Sequence, residues 1–222
     1  MEKIIIFDVC HTLVDTNSTF SYVDYLLDKW IKPWYKILFH NKLLWYFYYF
    51  LWLFFRFDVK IFLTKSFFKW LVVKDINILS QDYYKRYEEK IFPNMLTIIN
   101  RERKTSKIIL LSSSINQPID YLKYKFGIDW FSSKLEEKNW KYTWKILLPL
   151  WWRKETIFEK NYFSLIWYKE INYYTDNHDD INLIKYFNRK NNNLKIYIRS
   201  YWNKKYWNNF FSINWIKHEY LD

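Results

Sequence analysis

The 222-residue chain has no alanine, one glycine (Gly127), one cysteine (Cys10) and four prolines. A lone thiol excludes an internal disulfide and suits a reducing compartment, so a cytoplasmic location is expected. The apolar start "KIIIF" is too short for a secretory signal and lacks a small-residue cleavage site. No disordered linker or internal repeat breaks the chain. Its length suits one sizeable domain, or a core with a smaller insertion. The scarcity of glycine leaves the turns almost without the residue that most readily adopts positive φ.

Aromatic and basic residues fill the composition instead. Aromatics make up 24% of the chain, fourteen of them tryptophan, and the formal net charge is +12. Such a charge suits nucleic acid or anionic lipid. The accompanying wealth of Lys, Asn, Ile, Tyr and Phe, all with A/T-rich codons, gives a compositional explanation. No Lys/Arg block is long, and no nucleic-acid partner is expected. Tryptophan also stands where a turn would ordinarily take glycine: "KNWKYTW" (138–144), "GIDWF" (127–131) and "PLWW" (149–152). Either a stop-type codon read as glycine in the source organism lies behind these positions, or true tryptophans fill a core short of small residues.

Residues 3–9 form a continuous apolar run ending in Asp8, which suits a buried parallel strand. "STFSYVDYLLDKW" is a capped amphipathic helix. "LSQDYYKRYEEKIF" (79–92) is expected as a helix opened by Ser80 and bounded by Pro93. A second buried strand, "TSKIILLSSS" (105–114), runs into serines. The helix at 116–126 follows, with Gly127 as its stop. Short β-prone pieces and turns are expected over 128–148, and a helix over 153–165. A strand over 171–176, a helix over 179–190 and a strand over 194–200 complete the pattern. Strands alternating with helices predict an α/β fold with a parallel sheet.

"LLWYFYYFLWLFF" (43–55) is thirteen apolar residues between Lys42 and Arg56. As a helix it spans roughly 20 Å, short of the ~30 Å hydrocarbon core. Two readings stay open: a buried helix of an inserted segment, or a helix lying in a membrane interface. In the second, Lys29, Lys32, Lys36, Lys42, Arg56 and Lys60 face anionic lipid, and residues 30–56 make a peripheral membrane contact.

Three strand ends deliver polar residues together: Asp8 and Thr12, Ser112 to Ser114, and Asp176 with Asp180. In open α/β sheets, ligands bind outside the carboxyl ends of the strands. With "DVCHT" (8–12), "IILLS" ending at Ser112, Lys154, and "DNHDD" (176–180), the chain resembles the haloacid dehalogenase-like (HAD) hydrolases. Within them it is similar to the phosphoserine-phosphatase-like branch with a helical cap. The resemblance implies a three-layer Rossmann-like core over 1–15 and 95–222 and a helical cap over 16–94. It implies Mg²⁺-dependent hydrolysis of a small phosphorylated metabolite through an aspartyl-phosphate. Asp8 is then the nucleophile, and the metal ligands are Asp8, the carbonyl of Cys10 and Asp176, with Asp180 orienting a metal-bound water or Lys154. Ser112 and Lys154 would hold phosphate oxygens, and Thr12 completes the first motif.

The pattern breaks at Cys10, where the family's phosphatases carry a second Asp as acid and base. A thiol is a poor substitute for that carboxylate. His11 is the neighbour able to carry a proton near neutral pH. An active hydrolase using Cys10 or His11, a catalytically impaired phosphate-ligand binding or scaffold protein, and a membrane-associated hydrolase of a lipid-linked phosphate follow as alternatives.

Overall fold

A computed structural model describes residues 3–55, 58–150, 153–160, 164–190, 193–199, 204–214 and 216–221. Its centre is a seven-stranded sheet. The strands are β1 (Lys3–Phe7), β2 (Lys107–Ile115), β3 (Asp129–Lys138), β4 (Lys141–Leu148), β5 (Glu170–Thr175), β6 (Leu194–Ile198) and β7 (Lys217–Tyr220). Their order is β4-β3-β2-β1-β5-β6-β7, parallel throughout except for the antiparallel β3–β4 pair.

β1 is central because both its faces are apolar. Ile5 and Phe7 enter one buried cluster, Ile4 and Ile6 the other, and all four are fully buried. This is the period-2 consequence of a continuous apolar run covered on both sides.

Five helices run between β1 and the next core helix: α1 (Ser18–Asp28), α2 (Tyr35–His40), α3 (Lys42–Phe55), α4 (Val59–Phe68) and α5 (Val73–Glu88). Two chain crossings join them to the sheet. Val14 bridges Ile91, Asp15 N–H donates to the Lys90 carbonyl, and Phe92 N–H donates to the Leu13 carbonyl. Beyond them come α6 (Pro93–Glu102), α7 (Asn116–Phe126), the single turn α8 (Thr156–Glu159), α9 (Ile181–Lys190) and α10 (Lys204–Asn214). Asn17 caps α1 through its side chain, Pro93 stands in the first turn of α6, and Gly127 ends α7 at φ +63°.

Three expectations need correction. Ser80 does not open a helix; it lies buried in the middle of α5, its hydroxyl donating to the Ile76 carbonyl one turn back. Such back-bonding lets a serine sit inside a helix. The helix over 153–165 is confined to α8 among the described residues; 161–163 lie outside them. The β-prone pieces of 128–148 are one long hairpin, β3–β4. It turns through Asn139 and Trp140, both at positive φ. Two consecutive left-handed residues are the requirement of a type I′ hairpin, whose usual sequence is Asn-Gly.

Candidate active site

The carboxyl ends of β1, β2 and β5 converge, and the polar residues just beyond them form one site. Asp8 is 4% exposed, and its backbone N–H donates to the Tyr174 carbonyl of β5. Lys154, just before α8, arrives from the other end of the chain. Its Nζ donates to Asp8 Oδ1 at 2.8 Å and pairs with Asp180 Oδ1 at 2.8 Å. A buried lysine needs such partners, because an isolated ammonium in low dielectric is strongly disfavoured. Burial alone would push Lys154 down; Asp180 and Asp8 outweigh that and hold it charged.

Asp180 has both carboxylate oxygens engaged. Oδ1 faces Lys154, and Oδ2 accepts from Tyr173 at 2.7 Å and Thr175 at 2.6 Å. Asp180 was expected to orient a metal-bound water or Lys154, and its contact here is with Lys154. Tyr173 and Thr175 are neighbours of the candidate site that the sequence reading missed. Their alternate spacing on a strand, with Asp180 a turn later, was the available signal.

Thr12 is fully buried and its hydroxyl donates to Asp176 Oδ1 at 3.0 Å, joining the loop after β1 to the loop after β5. Burial pushes Asp8 up to about 8 and Asp176 up to about 6, Asp180 adding to both. Lys154 thus pairs with two of the three carboxyls, Asp8 and Asp180, and Asp176 is held by Thr12 instead.

Among the described residues there is no group of three or more His, Cys, Asp or Glu side chains placed to hold a metal ion. Two carboxylates do fit a hard cation. Asp8 and Asp176 are oxygen donors in a site with excess negative charge, which is the chemistry that Mg²⁺ seeks.

Cys10 lies among hydroxyls. Its Sγ is 3.0 Å from Ser114 Oγ and 3.3 Å from Ser18 Oγ, and it accepts the Ser18 N–H at 3.3 Å. Ser18 Oγ in turn is 2.5 Å from the Tyr87 hydroxyl. Burial and then Asp8 push the thiol up, against the hydrogen bonds of Ser114 and Ser18. His11 adopts φ +56° and is exposed at the site's mouth.

A cavity of about 470 Å³ opens onto Asp8, Cys10, His11 and Asp176. Ser113 and Ser114 line it, whereas Ser112 is fully buried and its Oγ accepts the Ser114 N–H at 3.2 Å. Ser112 therefore lies behind the stretch of β2 that lines the cavity. The far wall comes from the inserted helices: Phe20 of α1, Tyr48 and Tyr49 of α3, and Lys60 and Thr64 of α4.

No protein-family model matches the chain, and no curated protein matches it in sequence. Solved structures do match in three dimensions. A protein of unknown function from Bordetella pertussis Tohama I superposes with a TM-score of 0.76 at 12% identity, covering 98% of both chains. Cytosolic 5′-nucleotidase IIIB bound to cytidine gives 0.61 at 9% identity, over 95% of this chain and 77% of that one. A substrate-bound phosphoserine phosphatase gives 0.54 at 17% identity, over 89% and 86%. The fold is HAD-like, as the resemblance implied: a mostly parallel sheet flanked by helices, the α/β class that the strand–helix alternation predicted.

Proposed function

We propose that the chain is a phosphoric monoester hydrolase acting on a small phosphorylated metabolite, with residues 16–94 as its cap. One observation carries the reading: buried Asp8, bonded to a Lys154 that Asp180 also pairs with, at the floor of a cavity large enough for a small ligand. The similarity in fold to a phosphoserine phosphatase and a 5′-nucleotidase supports it.

In this reading an Asp8 carboxylate oxygen attacks phosphorus, and the bond to the leaving oxygen breaks with its electron pair going to that oxygen. An aspartyl-phosphate results, which water then hydrolyses to regenerate the carboxylate. Lys154 lies against Asp8 and offsets the charge gathered on the phosphoryl oxygens. Asp180, Tyr173 and Thr175 keep that ammonium in place. Thr12 fixes Asp176. Mg²⁺ held by Asp8, the Cys10 carbonyl and Asp176 would supply positive charge between two anions. The leaving oxygen takes its proton from Cys10 or His11, since no second carboxylate stands at position 10. A Cys10 that gives this proton is left as the thiolate, which takes a proton from the water that attacks the aspartyl-phosphate and is so restored.

The test is phosphate release from a panel of phosphomonoesters and acyl phosphates, with and without Mg²⁺. Metal-dependent turnover that disappears in Asp8→Asn and rises in Cys10→Asp is expected. Silence from wild type and Cys10→Asp alike would reject the hydrolase in favour of a phosphate-ligand binding protein.

A further inference from the structure

The helix α3 is apolar on two opposite faces, and only one of them has work to do at the cavity. Tyr48 and Tyr49 line the cavity wall. The opposite side carries Leu43, Tyr46, Phe47, Phe50, Leu53 and Phe54, each between 46% and 79% exposed. Their spacing, i, i+3, i+4, i+7, i+10 and i+11, places them on one stripe of a helix. Contiguous apolar surface of this kind marks an interaction site.

Charge identifies the occupant. Between Asp28 and Asp58 the sequence has no acidic residue, while Lys29, Lys32, Lys36, Lys42 and Arg56 are basic. Lys36 and Lys42 stand just before the stripe, and both are exposed. Lys36 is 3.7 Å from Asp28 in an exposed pair, and His40 pairs with Asp24 at 2.9 Å. Those acids lie on α1, away from the stripe's sequence. No described helix is long and apolar enough to cross a bilayer. A fourteen-residue helix that begins at Lys42 and turns one stripe of large apolar side chains to solvent suits the plane of a lipid interface. Anionic headgroups add attraction for each lysine near the surface.

We propose that α3 docks this protein on an anionic membrane surface through its outer stripe. The same helix then roofs the cavity from the membrane side, with Phe20, Tyr48 and Tyr49 lining a path to Asp8. Under the hydrolase reading, on which this step alone rests, the substrate is a phosphomonoester with an apolar tail drawn from that surface.

Co-sedimentation of the full chain with vesicles tests the docking. Binding to equal parts phosphatidylglycerol and phosphatidylcholine at low salt is expected, with weak binding to phosphatidylcholine alone. Phe47→Ser with Phe54→Ser should weaken it by roughly tenfold or more, given the apolar area removed. Lys36→Glu with Lys42→Glu should abolish the preference for phosphatidylglycerol while circular dichroism stays unchanged. Absence of binding to the anionic vesicles overturns the proposal. So does a lipid-free dimer that the Phe47/Phe54 pair converts to monomer, which makes the stripe an interface between copies. Phosphate release from a long-chain alkyl phosphate in the same vesicles tests the substrate step. Vesicle binding with release only from short-chain monoesters rejects the tail, and vesicle binding with no release from any monoester rejects the hydrolase reading while leaving the docking intact.

Discussion

Trp30, Trp70 and Trp140 hold φ of +61°, +71° and +61° and are 81%, 67% and 87% exposed. They occupy backbone that glycine takes without strain, and none fills a core. Trp130 lies on β3 and Trp144 on β4, so the turn argument does not extend to them, and 151–152 lie outside the described residues. Fully buried Trp207 answers instead to the core-filling explanation. Glycine-type coding is thus supported by backbone geometry at three positions. Trp140→Gly should raise unfolding free energy by about 1 kcal/mol through relief of left-handed strain. Trp144→Gly should lower it, because glycine weakens a strand interior. Urea denaturation of both variants checks this, and equal effects would reject the strain argument. At the site, Tyr173→Phe removes one of the two hydroxyls on Asp180 Oδ2. A net hydrogen bond of ~1 kcal/mol corresponds to a roughly fivefold loss of kcat. KM should not change, since Tyr173 acts through the Asp180–Lys154 pair and not on substrate.

Among the elements, the β3–β4 hairpin does more than extend the sheet. Trp70 N–H donates to the Tyr142 carbonyl, Tyr142 N–H to the Leu71 carbonyl, and Val73 N–H to the Trp140 carbonyl. These bonds fasten the α4–α5 link to the hairpin, a second attachment of the inserted helices besides the crossings at 13–15 and 90–92. Movement of that segment as one rigid lid would break both. Amide exchange should therefore be slow at Trp70, Tyr142 and Val73, close to that of β2, and faster along α3, whose outer side faces solvent. Fast exchange at Tyr142 would mean that the hairpin releases. The turn at Asn139 and Trp140 was legible as a place for glycine, but neither this latch nor the hairpin's length was, because both depend on long-range pairing that no local signal carries. β1, β2, β5, β6 and the helices α1, α7 and α9 were legible, since apolar runs and caps are local features. Asp8, Thr12, Lys154, Asp176 and Asp180 were legible as a set through motif order. That Ser114 lines the cavity while Ser112 does not depends on where the backbone of β2 turns, which spacing alone does not encode.

For the molecule as a whole, the site sets a dependence of stability on pH. Carboxyls in an unfolded chain titrate near pH 4, while burial raises Asp8 to about 8 and Asp176 to about 6. Across that window the folded state holds protons that the unfolded state has already released. Stability therefore falls as pH rises through it, and the contribution is fully present only below the unfolded values. A divalent cation that binds the two ionised carboxylates of the folded state offsets this by mass action. The metal-free protein should accordingly melt at a lower temperature at about pH 8 than at about pH 5, with Mg²⁺ restoring more stability at the higher pH. Asp8→Asn removes the larger of the two shifted groups, so its Tm should vary less with pH and respond less to Mg²⁺. Thermal melts of both proteins across this range, with and without the metal, make the comparison. An equal Mg²⁺ response in wild type and Asp8→Asn would place the cation away from Asp8, and with it the charge balance on which the proposed phosphoryl transfer depends.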